Sequence, residues 1–271
     1  MNQGIHFISG LPRSGSTLLA AILRQNPHFH AGMSSPVGSL VNAMLRQMSQ
    51  DNETAVFIDD DQRKAVLTAV FDAYYFREHP RKVVFDTNRL WCSKLPALAA
   101  LFPQAKVICC VRHVPWILDS IERLVRRNKF EPSKIFNFEP GGTVYSRVEG
   151  LGSGSGMVGF AWNALREAFF GDDADRIMLL TYETLTNDPR RALSVVYEFI
   201  GEAPFGHDFE NIEYDATEFD ARLGTPGLHT VRPVVRPTDR RTILPPDLFR
   251  RMEQDSFWRD PAVNIRGVKI V

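Results

Sequence analysis

The residues best suited to chemistry stand close together near the start of the chain, in Gly10-Leu11-Pro12-Arg13-Ser14-Gly15-Ser16-Thr17. An apolar run, Ile5 to Ile8, leads into Gly10; Gly15 follows, then two hydroxyls, then apolar residues at helical spacing from Leu18 to Leu23. Strand, tight turn and helix N-terminus in that order aim successive backbone N–H groups, and the positive end of a helix dipole, at one point. Gly10, Pro12, Arg13, Ser14, Gly15, Ser16 and Thr17 are therefore expected to cradle a phosphate. The spacing is that of G-x-x-x-x-G-K-[ST], with Ser16 in the lysine's place. The cation has moved to Arg13, whose planar, permanently charged fork suits the bridging of phosphate oxygens. Thr17 can add a hydroxyl. The displaced cation argues against an ordinary ATPase or GTPase.

A second candidate lies at the end of the run Val107-Ile108-Cys109-Cys110-Val111, which stops at Arg112. A magnesium-dependent nucleotidase needs an aspartate at such a strand end. An arginine there cannot ligate a metal but can hold another anion. Ser120 lies eight residues on, near the start of the next helical pattern and on the side facing back to Arg112. Taken alone, Arg112 could equally be a strand-end salt bridge.

These residues need a scaffold that brings strand ends together. The runs Ile5–Ser9, Val83–Asp86, Lys106–Val111 and Ile177–Tyr182 are short, apolar and not cleanly alternating, as strands covered on both faces are. Helical patterns separate them: Thr17–Arg24, Gln62–Glu78, Ser93–Leu101, Pro115–Arg127, Phe160–Phe170 and Pro189–Ile200. The alternation predicts an α/β fold with an open parallel sheet, helices on both faces, and ligands at the carboxyl ends of the strands. The whole chain, 1–271, reads as one such domain. Two stretches break the pattern: a glycine-rich segment at about 139–159, expected to be a flexible loop and a candidate lid, and a Pro/Arg-rich tail from about 223, expected to wrap the sheet before a short helix at Pro246–Gln254.

Lys plus Arg equals Asp plus Glu, so no global field draws the chain to nucleic acid or membrane; anion binding must be local. Three cysteines, two of them adjacent, fit a reducing compartment and an expected cytoplasmic location. No run approaches the roughly 18 apolar residues of a membrane span, and no signal peptide is expected. His28 and His30 lack any carboxylate or cysteine cluster, and no metal is expected.

Two anion sites at strand ends, without the usual lysine or a magnesium aspartate, give a chain that resembles the P-loop sulfotransferases. The form P-R-S-G-[ST]-T-L is most similar to the branch holding tyrosylprotein sulfotransferases and many bacterial small-molecule enzymes. The resemblance runs from Gly4 to about Gly201. It implies a donor, 3′-phosphoadenosine 5′-phosphosulfate, with its 5′ end on Gly10–Thr17 and its 3′-phosphate on Arg112 and Ser120. Tyr182, in Tyr182-Glu183-x-Leu185, is implied to lie near the nucleotide. The product would be adenosine 3′,5′-bisphosphate, and the acceptor a hydroxyl, expected on a small molecule. The glutamate base of the tyrosylprotein enzymes has no counterpart in Gly32-Met33-Ser34-Ser35-Pro36. Where the aryl and steroid enzymes place a histidine base, this chain reads Asp86-Thr87-Asn88-Arg89. Asp86 could be the base, could orient Arg89, or could cap the next helix; Arg89 could neutralise the sulfuryl group. His229, in the Pro/Gly-bounded stretch Gly224–His229, could reach the site as base or acceptor contact. The alternative is a small-molecule kinase of the same loop type using Mg-ATP. A further alternative binds the nucleotide without chemistry.

Overall fold

A computed structural model of the chain describes residues 4–79, 82–130, 133 and 142–271. Among these, six strands form one sheet: β1 (Ile5–Gly10), β2 (Phe29–Ala31), β3 (Val83–Thr87), β4 (Val107–Val111), β5 (Ile177–Thr181) and β6 (Lys269–Ile270), in the order β2-β3-β1-β4-β5-β6. Every pairing is parallel. Alternate residues of the central strands enter opposite layers. Phe7, Val84, Val107, Cys109 and Leu179 pack on one face, and Ile8, Phe85, Ile108, Cys110 and Leu180 on the other. Both faces are covered, which explains the near-continuous apolar runs.

One layer is built by α3 (Asp60–Phe71), α4 (Leu95–Leu101), α5 (Val114–Arg127) and α7 (Met157–Phe170), all contributing to the first apolar cluster, with α2 (Val37–Gln47) beside them. The other is built by α1 (Ser16–Leu23) and α9 (Pro189–Ile200). The predicted Asp188-Pro189 start is observed, with the Asp188 side chain accepting from the Arg191 amide at 3.1 Å. A short α8 (Tyr182–Asn187) precedes it.

The chain leaves β1 for β2 and β3 on one side and returns to β4 on the other. The crevice therefore opens at the carboxyl ends of β1 and β4, where Gly10 pairs with Cys110. Gly10 has φ +95°, and a Cβ there would lie 2.3 Å from the Cys110 carbonyl oxygen. Only glycine fits this turn.

The glycine-rich segment differs from expectation. Residues 139–141 lie outside the described residues. From Thr143 onward the chain is mostly helical: Thr143 and Ser146 form a reciprocal cap on α6 (Val144–Gly152), and α7 begins at Met157. Gly156 and Gly159 serve a close corner between the two helices. At Gly156 a Cβ would sit 2.1 Å from the Gly150 carbonyl oxygen, so any larger residue would force α6 and α7 apart. After α10 (Thr217–Arg222) the chain runs past the cavity mouth, where the Val235 amide donates to the Phe209 carbonyl at 2.8 Å, and continues through α11 (Pro246–Met252) to β6. No helix among the described residues is long and apolar enough to cross a membrane.

Candidate active site

A cavity of about 510 Å³ opens at the crevice. Its walls come from the Gly10–Thr17 loop, the end of β3, Arg112, Ser120, Tyr182 and the tail from Leu228 to Arg240. Sequence-distant elements thus meet at one place because the sheet brings β1, β3, β4 and β5 to a common edge.

The loop closes as the spacing implies. Gly15 caps α1 with φ +94°. Arg13 is the non-glycine residue with positive φ, +57°, among the described residues. A strained backbone of this kind costs on the order of 1–3 kcal/mol and persists only where surrounding contacts fix it. They do. Arg13 Nε donates to Ser120 Oγ at 3.2 Å, and its Nη1 donates to the Leu228 carbonyl. The Arg13 carbonyl in turn accepts from Arg112 Nη1 at 3.5 Å. Burial, then the charge of Arg112, pushes the Arg13 guanidinium down to about 10, still cationic at neutral pH. Ser14 is placed differently from expectation. Its hydroxyl turns inward to the Pro12 carbonyl at 3.3 Å and does not line the cavity.

Arg112 and Ser120 both line the cavity, as their spacing predicts. Tyr182 backs them: the Arg112 guanidinium lies 4.2 Å from its ring centroid, a cation–π contact that orients the fork. Arg112 Nε is buried with no hydrogen-bond partner. Burial lowers the Arg112 guanidinium, with the charge of Arg240 acting in the same direction.

The residues considered for proton transfer separate clearly. Asp86 is fully buried and off the cavity wall. Its Oδ2 accepts from Ser35 Oγ and Tyr75 Oη, both at 2.5 Å, and its Oδ1 accepts from Trp91 Nε1 at 2.7 Å. With three donors and no exposure it has no route to an acceptor hydroxyl. It neither contacts Arg89 nor caps the next turn, which Asn88 caps instead by accepting from the Leu90 amide at 3.0 Å. Asp86 is a tie between the β2–α2 corner, the π-helical turn Asp72–Phe76 and Trp91. Arg89 lines the cavity.

His229 lines it too. Its Nδ1 lies 2.6 Å from Asp220 Oδ1, and its amide donates to Asp220 Oδ2 at 2.8 Å. A carboxylate on Nδ1 places the imidazole proton there and leaves Nε2 as a free acceptor. Burial pushes the imidazole below its ordinary value, and the charges of Arg13 and Arg89 push the same way, while Asp220 opposes them. The neutral, basic form is therefore the one present at pH 7.

Comparison with known proteins places this geometry. The model of a family described as "Sulfotransferase family" matches residues 6–205. The chain belongs to that family. Among curated relatives, the protein-tyrosine sulfotransferase 1 of Rattus norvegicus is 28% identical over 117 residues, covering 41% of this chain and 32% of the relative. That of Danio rerio is 30% identical over 112 residues, covering 39% and 32%. The matched stretch spans about a third of the length of these relatives. The fold is shared with the sulfotransferase domain from the curacin biosynthetic pathway (TM-score 0.53, 19% identity, 86% of this chain and 84% of that one). It is also shared with a sulfotransferase from Alicyclobacillus acidocaldarius (TM-score 0.50, 14% identity, 82% and 90%).

Three further residues at this cavity were missed from the sequence, and only Asp119 carried a signal that could have found it. Asp220 lies in the polar stretch Thr217–Arg222, nine residues before its partner His229. Arg240 is one of many arginines in the tail, yet it lines the cavity with buried Nε and Nη2 atoms that lack hydrogen-bond partners. Asp119 sits inside α5 as a charged residue on a buried face, which is a signal in itself.

Proposed function

We propose that this sulfotransferase moves a sulfuryl group from 3′-phosphoadenosine 5′-phosphosulfate to the hydroxyl of a small-molecule acceptor. One observation carries the reading: a single cavity holds the Gly10–Thr17 cradle, the Arg112–Ser120 cluster and the His229 imidazole. A nucleotide phosphorylated at both ends offers two anions to two cation-lined walls. The partnerless Arg112 Nε is a buried donor that a phosphate oxygen would satisfy.

The donor, when bound, supplies a sulfuryl group on a phosphate leaving group. The chain's residues supply the rest. Backbone N–H groups of Gly10–Thr17 and the N-terminus of α1 oppose negative charge as it grows on the bridging oxygen, with Arg13 beside them. Such fixed donors need no reorganisation, and losing one typically costs about 2.7–4 kcal/mol of barrier. Arg89 stands on the cavity wall to neutralise the sulfuryl oxygens. His229 Nε2 takes the acceptor's proton as the new S–O bond forms and the bond to the phosphate oxygen breaks. His229 thus takes the base role considered for Asp86, and Asp220 holds its tautomer and stabilises the imidazolium. Met33, Met157, Phe219 and Leu223 give the acceptor end an apolar wall.

The test is transfer from a sulfur-labelled donor to a panel of phenols and aliphatic alcohols, with and without Mg²⁺, run beside Mg-ATP carrying a labelled γ-phosphate. The reading expects label on at least one alcohol or phenol from the sulfate donor. Phosphoryl transfer with no sulfate transfer would establish the kinase alternative, and binding without any transfer the non-catalytic one.

A further inference from the structure

We propose that Asp119 is a positioning residue for donor selection, tying the C-terminal segment to α5 so that Arg240 is presented to the donor's 3′-phosphate. This rests on the reading of the donor given above. Asp119 has no exposed surface and sits in the middle of α5, next to Ser120. A carboxylate in that position must be fully satisfied or it destabilises the fold. Its Oδ1 accepts from the Ile243 amide at 2.8 Å and from Thr242 Oγ1 at 3.1 Å. Its Oδ2 accepts from Arg123 Nε at 2.9 Å.

Two of these donors come from more than 120 residues away in the chain. The carboxylate is thus the point at which the tail is fastened to α5. Arg123 Nη2 reinforces the joint by donating to the Arg241 carbonyl at 2.5 Å. The tail between His229 and Arg240 forms one wall of the cavity, and its two ends are held by buried aspartates, Asp220 at His229 and Asp119 at Thr242–Ile243.

The fastening fixes Arg240. Its Nη2 lies 2.9 Å from Asp119 Oδ2, close enough to be anchored by charge, yet off the hydrogen-bonding direction. Arg240 Nε and Nη2 and Arg112 Nε are all buried and lack hydrogen-bond partners. One carboxylate shared between Arg123 and Arg240 leaves the cluster of Arg13, Arg112 and Arg240 with excess positive charge. The charge of Arg240 accordingly lowers both Arg13 and Arg112. A phosphate dianion beside Ser120 answers both deficits, charge and hydrogen bonds, at once.

The experiment is calorimetric titration of the full chain with adenosine 3′,5′-bisphosphate and with adenosine 5′-phosphate, for the wild type, Arg240→Ala, Asp119→Asn and the double variant. Arg240→Ala removes one charge-assisted contact and Asp119→Asn releases the side chain that makes it, so each should weaken the bisphosphate by about tenfold or more and the monophosphate by less than about threefold. The double variant should bind the bisphosphate within about threefold of Arg240→Ala, because both changes remove the same contact. A bisphosphate-to-monophosphate ratio unchanged in Arg240→Ala overturns the proposal. So does equal weakening of both ligands in Asp119→Asn, or losses that multiply in the double variant. If Asp119→Asn does not fold, Thr242→Val loosens the same joint and should lower the ratio by a smaller factor; an unchanged ratio there overturns the role of Asp119. A wild type that does not prefer the bisphosphate overturns the donor reading itself, which separates the two failures.

Discussion

His229 Nδ1 and Asp220 Oδ1 lie 2.6 Å apart at the edge of the cavity, and the second Asp220 oxygen takes the His229 amide. The same carboxylate therefore fixes both the backbone and the ring, so the imidazole can meet an acceptor without first being ordered. His229→Ala should lower kcat by about 10²–10⁴-fold while leaving affinity for adenosine 3′,5′-bisphosphate nearly unchanged. The check is single-turnover sulfate transfer beside calorimetry.

The pH profile follows from the same pair. As the proposed base, His229 works only when neutral, and burial holds its folded value below the ordinary imidazole range. Activity should be level from pH 7 upward and fall on acidification below about 6.5. Asp220 raises the imidazole, so Asp220→Asn should move the acid limb to lower pH while lowering kcat. An acid limb that stays in place in Asp220→Asn would separate the two residues.

Arg112→Ala should weaken adenosine 3′,5′-bisphosphate by about tenfold or more, and adenosine 5′-phosphate much less, as expected for one charge-assisted anion contact. Equal losses in paired titrations would make Arg112 a structural cation held on Tyr182.

Tyr75→Phe should leave the buried Asp86 one donor short, costing about 1–3 kcal/mol. For a chain of this size that is a fall in Tm of several degrees. The pH profile of transfer should not move, because Asp86 is a tie and not the base. A shifted profile in this variant would return Asp86 to the proton-transfer step.

Acid should destabilise the fold through His6. The ring is buried, its Nδ1 accepts from the Lys106 amide at 3.1 Å, and burial, then the charge of Lys106, pushes it down to about 4. The unfolded chain binds this proton below about pH 6.5, whereas the folded chain does not until about pH 4. Stability is therefore complete above pH 6.5 and falls between pH 6.5 and 4, by up to about 3 kcal/mol. His6→Gln should reduce the fall in urea-unfolding free energy across that window, leaving the part due to His30, which burial also pushes down to about 4.

The sheet and the Gly10–Thr17 turn were legible because each is written in consecutive residues. An apolar run followed by Gly10, Gly15 and Thr17 declares strand, turn and helix in one stretch, and Arg112 marks its own strand end. The edge strands were not legible. Phe29–Ala31 holds three residues with a histidine at its centre, and Lys269–Ile270 holds two, too few for any period to show. The glycines near 150–159 read as an open loop because close helix crossing and flexibility call for the same residue. The second halves of the site's pairs were hidden for a related reason. Asp220 and Arg240 matter only through partners that folding supplies, and polar residues in polar stretches give no local sign of it; Asp119, a carboxylate among the apolar residues of α5, was the one that could have been noticed.

The central claim is that two oxyanion cradles in one cavity grip the two ends of a doubly phosphorylated adenosine. Its most direct test is titration of the purified chain with adenosine 3′,5′-bisphosphate in the absence of metal, beside Mg-ATP. The account predicts roughly micromolar binding of the bisphosphate and weaker binding of Mg-ATP. Tight Mg-ATP binding with no heat from the bisphosphate would contradict it.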